Sequence, residues 1–94
     1  MGTTELAHII VTGRVQGVGF RYYTLNLARQ HDISGWVKNK DDGSVEVMAE
    51  GKKKHLDEFI EGLKKGPSRF AKVEGIEIEY LPVQEDFKEF NVRY

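Results

Sequence analysis

The chain has 94 residues, 39 % hydrophobic and 31 % charged, a length and balance that fit one small globular domain and exclude two. Fourteen Lys and Arg against fifteen Asp and Glu leave a formal net charge of −1, which argues against a general nucleic-acid binder, because such domains carry a basic excess. Cysteine is absent, so disulfides, thiolate metal sites and a cysteine nucleophile are excluded, and the composition fits a reducing cytoplasm.

Residues 1–5 lack the basic and apolar regions of a secretory signal, and Leu6 stands where a myristoylation signal wants Ser or Thr. They are expected to form a frayed tail on a domain spanning 1–94. No apolar run approaches the roughly 18–20 residues that cross a bilayer, so a soluble, cytoplasmic protein without membrane contact is expected.

Leu6 to Thr12 reads as the first strand, with Ala7, Ile9 and Val11 on one face. Phe20 to His31 has helical spacing, with Phe20, Thr24, Leu27, Ala28 and His31 on one side. Ser34 to Lys40 reads as the second strand, with Val37 and Asn39 opposite Trp36 and Lys38. Asp41-Asp42-Gly43 is a tight hairpin signal. In Ser44 to Glu50, Val45, Val47 and Ala49 alternate with Glu46, Met48 and Glu50.

Lys52 to Lys65 is a second helix: Leu56, Phe59, Ile60 and Leu63 follow one stripe, and Gly66-Pro67 stops it. Val73 to Leu81 is a fourth strand, with Ile76, Ile78 and Tyr80 alternating against Glu77 and Glu79. Phe90, Val92 and Tyr94 alternate as a short final strand whose sheet edge the sequence does not reveal.

The order βαββαβ plus a short C-terminal strand predicts an α+β, ferredoxin-like two-layer sandwich: an antiparallel sheet with two helices on one face. In that arrangement the first two strands run parallel with the third between them. Two strand spacings put their C-terminal ends roughly 10 Å apart at one end of the sheet. The turn after the first strand and Asn39 near the end of the second then face one small volume.

That turn, Gly13-Arg14-Val15-Gln16-Gly17-Val18-Gly19-Phe20-Arg21, carries three glycines and two arginines at a helix N-terminus. Unpaired N–H groups and the helix dipole attract an anion there. Arg21, in the first helical turn, adds a forked donor suited to phosphate oxygens. A phosphate site follows. A Walker loop is excluded, because no Gly-Lys followed by Ser or Thr occurs, and the dinucleotide pattern meets Tyr22 where its third glycine belongs.

Other residues carry plainer readings. Arg14 is a solvated strand-end charge, and Lys52-Lys53-Lys54 open a charged helix face. His8, His31 and His55 have no ligand spacing and are structural or surface groups. Tyr22 and Tyr23 are expected in helix–sheet packing, and Trp36 covers the outer side of the sheet.

The glycine-rich turn, followed by Gly35-Trp36-Val37-Lys38-Asn39 and Asp42-Gly43-Ser44-Val45-Glu46, resembles the acylphosphatase family, as do Glu50-Gly51 and Gly66-Pro67 on either side of the second helix. The resemblance implies hydrolysis of the carboxyl–phosphate bond of acyl phosphates such as acetyl phosphate, carbamoyl phosphate or 1,3-bisphosphoglycerate, releasing inorganic phosphate. It implies no metal, no cofactor and no covalent phosphoenzyme. By position it makes Arg21 the phosphate-binding catalytic arginine, Asn39 the residue that holds the water, and Val15, Gln16, Gly17, Val18, Gly19 and Phe20 the backbone cradle.

The chemistry is consistent with so sparse a site. An acyl phosphate leaves as a carboxylate, whose conjugate acid has a pKa of about 4, and needs no proton from the enzyme. Phosphoryl transfer asks chiefly for positioning and charge stabilisation. An amide offers one acceptor and two donors, enough to orient a water but not to act as a base. A monomeric enzyme is the expectation. A non-catalytic phosphate sensor on the same fold is the alternative, and Asn39 is the residue such a sensor does not need. A nucleic-acid-binding sheet ranks third, opposed by Glu46 and Glu50.

Overall fold

The computed structural model describes residues 2–67, 70–84 and 86–94. The elements in chain order are β1 (Thr4–Arg14), α1 (Phe20–Gln30), β2 (Ser34–Asn39), β3 (Val45–Lys52), α2 (Lys53–Lys65), β4 (Lys72–Leu81) and β5 (Phe90–Arg93). They form one five-stranded sheet of order β4-β1-β3-β2-β5, with both helices against one face.

The alternation in each central strand decides which face is covered. Ala7, Ile9, Val11, Val37, Val45, Val47 and Ala49 are all fully buried. They meet Phe20, Leu27 and Ala28 of α1 and Leu56, Phe59, Ile60 and Leu63 of α2 in one apolar core. Burying a side chain of this size contributes about 1.5–3 kcal/mol, so the seam between sheet and helices dominates stability. The helices approach closely at Gly62, where an added Cβ would lie 2.5 Å from a Leu27 methyl. A side chain there would require Leu27 to shift. The same contact is fastened by Tyr23, whose hydroxyl donates to the Gly62 carbonyl at 2.6 Å.

β3 lies between β1 and β2 and is antiparallel to both, with Val11 opposite Val45 and Val45 opposite Asn39. The C-terminal ends of β1 and β2 therefore meet at one end of the sheet. β4 pairs antiparallel with β1 at one edge, with a bulge between Thr12 and Gly13. The other edge is taken by β5, which runs parallel to β2, with Gly35 opposite Phe90 and Lys38 opposite Arg93.

The sheet is therefore mixed, which corrects the expectation of an antiparallel one. The cause is the connection. β4 ends beside Leu6, and β5 begins beside Gly35, both at the end of the sheet remote from the glycine-rich turn. Four strand spacings, roughly 19 Å, separate these edges. Residues 82–89 can bridge that gap without reversing direction, and a strand entered from that end has to run with β2. The crossing passes over the helix-free face, where the Gln84 backbone N–H donates to a Glu50 carboxylate oxygen at 2.9 Å. Leu6 and Glu50 are buried on this face.

Other boundaries differ by one or two residues. Thr4 and Glu5, expected in the frayed tail, pair with Lys52 and Gly51, and Met1 lies outside the described residues. α1 stops at Gln30, and His31 caps it through its N–H to the Leu27 carbonyl. β4 is more exposed than its alternation suggests: Ile78 and Tyr80 share the helix-facing side, yet both are exposed. Among the described residues, no helix is long and apolar enough to cross a membrane.

Burial raises the Tyr23 phenol above its ordinary value of about 10. The sign is fixed: neutral Tyr23 favours the fold, so its contribution is complete below pH about 10 and is lost as pH rises through the folded-state value. Tyr23→Phe is expected to cost about 1 kcal/mol near neutrality, for the hydrogen bond to Gly62, and to flatten the fall in thermal midpoint above pH 10. Melting curves from pH 7 to 11 for both proteins check it; an unchanged alkaline slope would contradict the assignment.

Candidate active site

The turn between β1 and α1 begins and ends on buried apolar anchors. Val15 and Phe20 are both inserted in the core, which pins residues 16–19 between them at the surface. Gly17 and Gly19 have φ of 76° and 78°, in the left-handed region. Nothing lies within 4 Å of a Cβ built at either position, so glycine is required for backbone conformation and not for space. Gly19 is the N-cap of α1, and the Tyr23 N–H bonds its carbonyl at 3.0 Å. Among the described residues no side chain caps this helix, and its first turn holds no acidic residue. The leading N–H groups thus keep their donor capacity and the helix dipole is not neutralised.

Arg21 follows Phe20 directly, so burial of the phenylalanine orients the arginine outward beside the turn. Its guanidinium donates to the Arg93 carbonyl at 3.3 Å and lies 4.6 Å from the centroid of the Tyr94 ring. The parallel course of β5 brings both residues to this end of the sheet. Tyr94 in turn shares a 2.5 Å hydrogen bond between hydroxyls with Tyr22, the main reason its phenol is held above the ordinary tyrosine range. Tyr22 is 55 % exposed, so the packing role expected for it is not what the structure shows; Tyr23 alone of the pair packs on the core.

Asn39, the last residue of β2, projects on the helix-facing side. Its Oδ1 is buried and accepts no hydrogen bond among the described residues. An orphaned buried acceptor costs about 1–3 kcal/mol, and native structures rarely keep one without a purpose.

Gln16 contributes through its side chain. Its amide nitrogen donates to the carbonyls of Lys40 at 2.7 Å and Ser44 at 2.8 Å. These belong to the hairpin directly after Asn39. That hairpin is closed by the Lys40 N–H on the Ser44 carbonyl and by Asp42, whose carboxylate accepts from the Ser44 N–H and hydroxyl. These Ser44 bonds hold the Asp42 carboxyl below its usual range. One glutamine amide thus clasps the glycine-rich turn to the strand end that carries Asn39. No sequence period signals this contact, because it joins two turns.

Val15, Gly17, Gly19, Phe20, Arg21, Tyr22 and Asn39 line one pocket of about 200 Å³. The structure therefore brings Arg21 and Asn39 to the lining of the same cavity, together with residues of the turn. Gln16 and Val18 are not among the lining residues; Val18 packs on the core and Gln16 on the hairpin. Larger concavities of about 310 and 420 Å³ lie at the other end of the sheet, where Asp32 lines both and Glu50 one. Arg29 and Lys88 also line the first and Lys52 and His55 the second, so both carry mixed charge, whereas the smaller pocket has Arg21 and no carboxylate.

Among the described residues no cluster of His, Asp and Glu is arranged to hold a metal. His8 lies 2.6 Å from a Glu46 carboxylate oxygen on the helix-free face, away from the pocket. Arg14 is exposed at the end of β1, and Arg93 stacks over Trp36 on the helix-free face, 4.6 Å from its centroid.

The profile of the acylphosphatase family matches residues 7–92 of this chain. The acylphosphatase of Listeria welshimeri is 47 % identical over 90 residues, covering 96 % of this chain and 97 % of that protein. The crystal structure of the acylphosphatase from Bacillus subtilis superposes with a TM-score of 0.91 at 44 % identity, covering 96 % of this chain and 99 % of that one. An acylphosphatase structure from Coxiella burnetii gives a TM-score of 0.89 at 37 % identity, covering 96 % and 93 % of the two chains.

The Gln16 clasp is testable by stability alone. Gln16→Ala deletes two donors and is expected to cost about 1–2 kcal/mol. Gln16→Glu is nearly isosteric but sets a carboxylate against two carbonyl oxygens, and is expected to cost more than the alanine variant. Urea denaturation of the three proteins ranks them; equal midpoints for wild type and Gln16→Glu would refute the clasp.

Proposed function

This chain belongs to the acylphosphatase family, and from that premise we propose that it hydrolyses the carboxyl–phosphate bond of acyl phosphates to a carboxylate and inorganic phosphate. The observation that carries the mechanism is that Asn39 and Arg21 line one small pocket together with the glycine-rich turn. The Asn39 amide, whose buried Oδ1 has no donor among the described residues, can orient a water once that oxygen turns toward the cavity.

In this reading the phosphoryl group sits on the turn. Backbone N–H groups of the lining turn residues Val15, Gly17, Gly19 and Phe20 and the Arg21 guanidinium share its three non-bridging oxygens, where charge concentrates during transfer. The Arg93 carbonyl and the Tyr94 ring hold the guanidinium beside the pocket before substrate arrives, so less side-chain freedom is lost on binding. Asn39 accepts one hydrogen from a water and directs its lone pair along the line of the breaking P–O bond.

The P–O bond to the acyl oxygen breaks as the water oxygen bonds to phosphorus. The electron pair leaves on the carboxylate, which is stable unprotonated because its acid has a pKa of about 4. The water's proton passes to a phosphate oxygen, since no residue lining the pocket is a carboxylate or imidazole. The scheme calls for no metal, cofactor or covalent intermediate. A monomer suffices for it, because every proposed group comes from one chain.

The test uses benzoyl phosphate with a chelator present, following benzoate release. Turnover that persists under chelation is expected. Asn39→Ala should lower kcat by about 10²–10³-fold while inorganic phosphate still inhibits at the wild-type concentration. Arg21→Ala should lose turnover and phosphate binding together. Near-normal kcat in Asn39→Ala would refute the water-holding role, and phosphate binding without any turnover in the wild type would turn the reading to a sensor.

A further inference from the structure

We propose that Tyr22 sets acyl-group preference: its ring forms the outer wall against which a bulky or aromatic acyl group packs. The inference rests on the acyl phosphate reading above and extends it to the part of the substrate that the turn does not touch.

The pocket volume of about 200 Å³ falls below the roughly 300–1,000 Å³ of ordinary small-molecule sites. It encloses a phosphoryl group and an attacking water and little more. In-line displacement sets the leaving oxygen opposite the attacking one. With the water on the Asn39 side of the pocket, the acyl group is directed to the opposite side, toward the exposed mouth.

Tyr22 stands at that mouth. It follows Arg21 in the chain, lines the pocket and is 55 % exposed. Two positions along α1 from the buried Phe20, it is rotated away from the core. The fold gives its ring no apolar partner role. Instead its hydroxyl is bonded to that of Tyr94, which is 87 % exposed and lies under the Arg21 guanidinium. This bond orients the Tyr22 ring without covering it. An exposed aromatic face held in place beside a small anion pocket suits a flat or apolar substituent on the substrate, and offers nothing to a methyl-sized one.

The experiment compares kcat/KM for benzoyl phosphate and acetyl phosphate in wild type, Tyr22→Ala and Tyr22→Phe, with inorganic phosphate as a competitive inhibitor. Tyr22→Ala should lower kcat/KM for benzoyl phosphate about 3–10-fold, chiefly through KM. Both variants lose the bond to Tyr94, so Tyr22→Phe measures what that bond does for Arg21 and for ring orientation; it should keep most of the benzoyl preference. Acetyl phosphate turnover and phosphate inhibition in Tyr22→Ala should stay within about two-fold of Tyr22→Phe. An unchanged benzoyl-to-acetyl ratio in Tyr22→Ala, or a parallel fall for both substrates or weakened phosphate inhibition relative to Tyr22→Phe, would each overturn the proposal while leaving the hydrolytic reading standing. A wild type inert toward both substrates would overturn that reading, and this one with it.

Discussion

The insertion of β3 between β1 and β2 is the constraint on which the remainder depends. Because β3 is antiparallel to both neighbours, β1 and β2 must finish at the same end of the sheet. One strand then hands over to the glycine-rich turn, and the other delivers Asn39. The Val11–Val45–Asn39 row fixes how far apart those two endings lie. A slip of one residue in β2 would send the Asn39 side chain to the helix-free face. The buried Val37 resists such a slip, since it would be turned out of the core with Asn39. Core packing and pocket geometry are thus one requirement, met by the same register.

The pocket is built mostly from dipoles, with one formal charge at its wall. Backbone N–H groups cost no side-chain entropy to aim, and glycines let the chain bend them inward. The single guanidinium is held against a carbonyl and a ring face, both of which attract a cation weakly. A carboxylate in the same place would bind Arg21 more firmly and compete with a phosphoryl group. Weak partners are therefore suited to a residue that must exchange them for substrate.

Local signals made most of this architecture legible. The glycines at 17 and 19 mark left-handed backbone, the stripe from Leu56 to Leu63 marks a helix face, and Asp42-Gly43 marks a hairpin, each within a few residues of chain. What escaped the sequence depends on distant partners. β5 is four residues long and takes its edge and direction from the crossing before it, which no period encodes. The Gln16 side chain bonds two carbonyls in another turn, and the Tyr94 ring reaches Arg21 from the far edge of the sheet. The exposure of Tyr22 was within reach. A residue two places from a buried Phe20 on a helix points away from the core, and Tyr22 obeys that rotation.

The strand crossing from β4 to β5 carries a consequence for how the molecule matures. It spans the whole width of the sheet, so β5 has no docking edge until β1, β3 and β2 are already assembled. The Arg21 guanidinium finds its carbonyl and its ring on the two residues after Val92. Its positioning therefore waits on a pairing between residues far apart in the chain, Gly35 with Phe90 and Lys38 with Arg93. A nascent or partly unravelled chain can hold a nearly complete core and still present a loose arginine, which makes competence for phosphate a late and sensitive reporter of the native state.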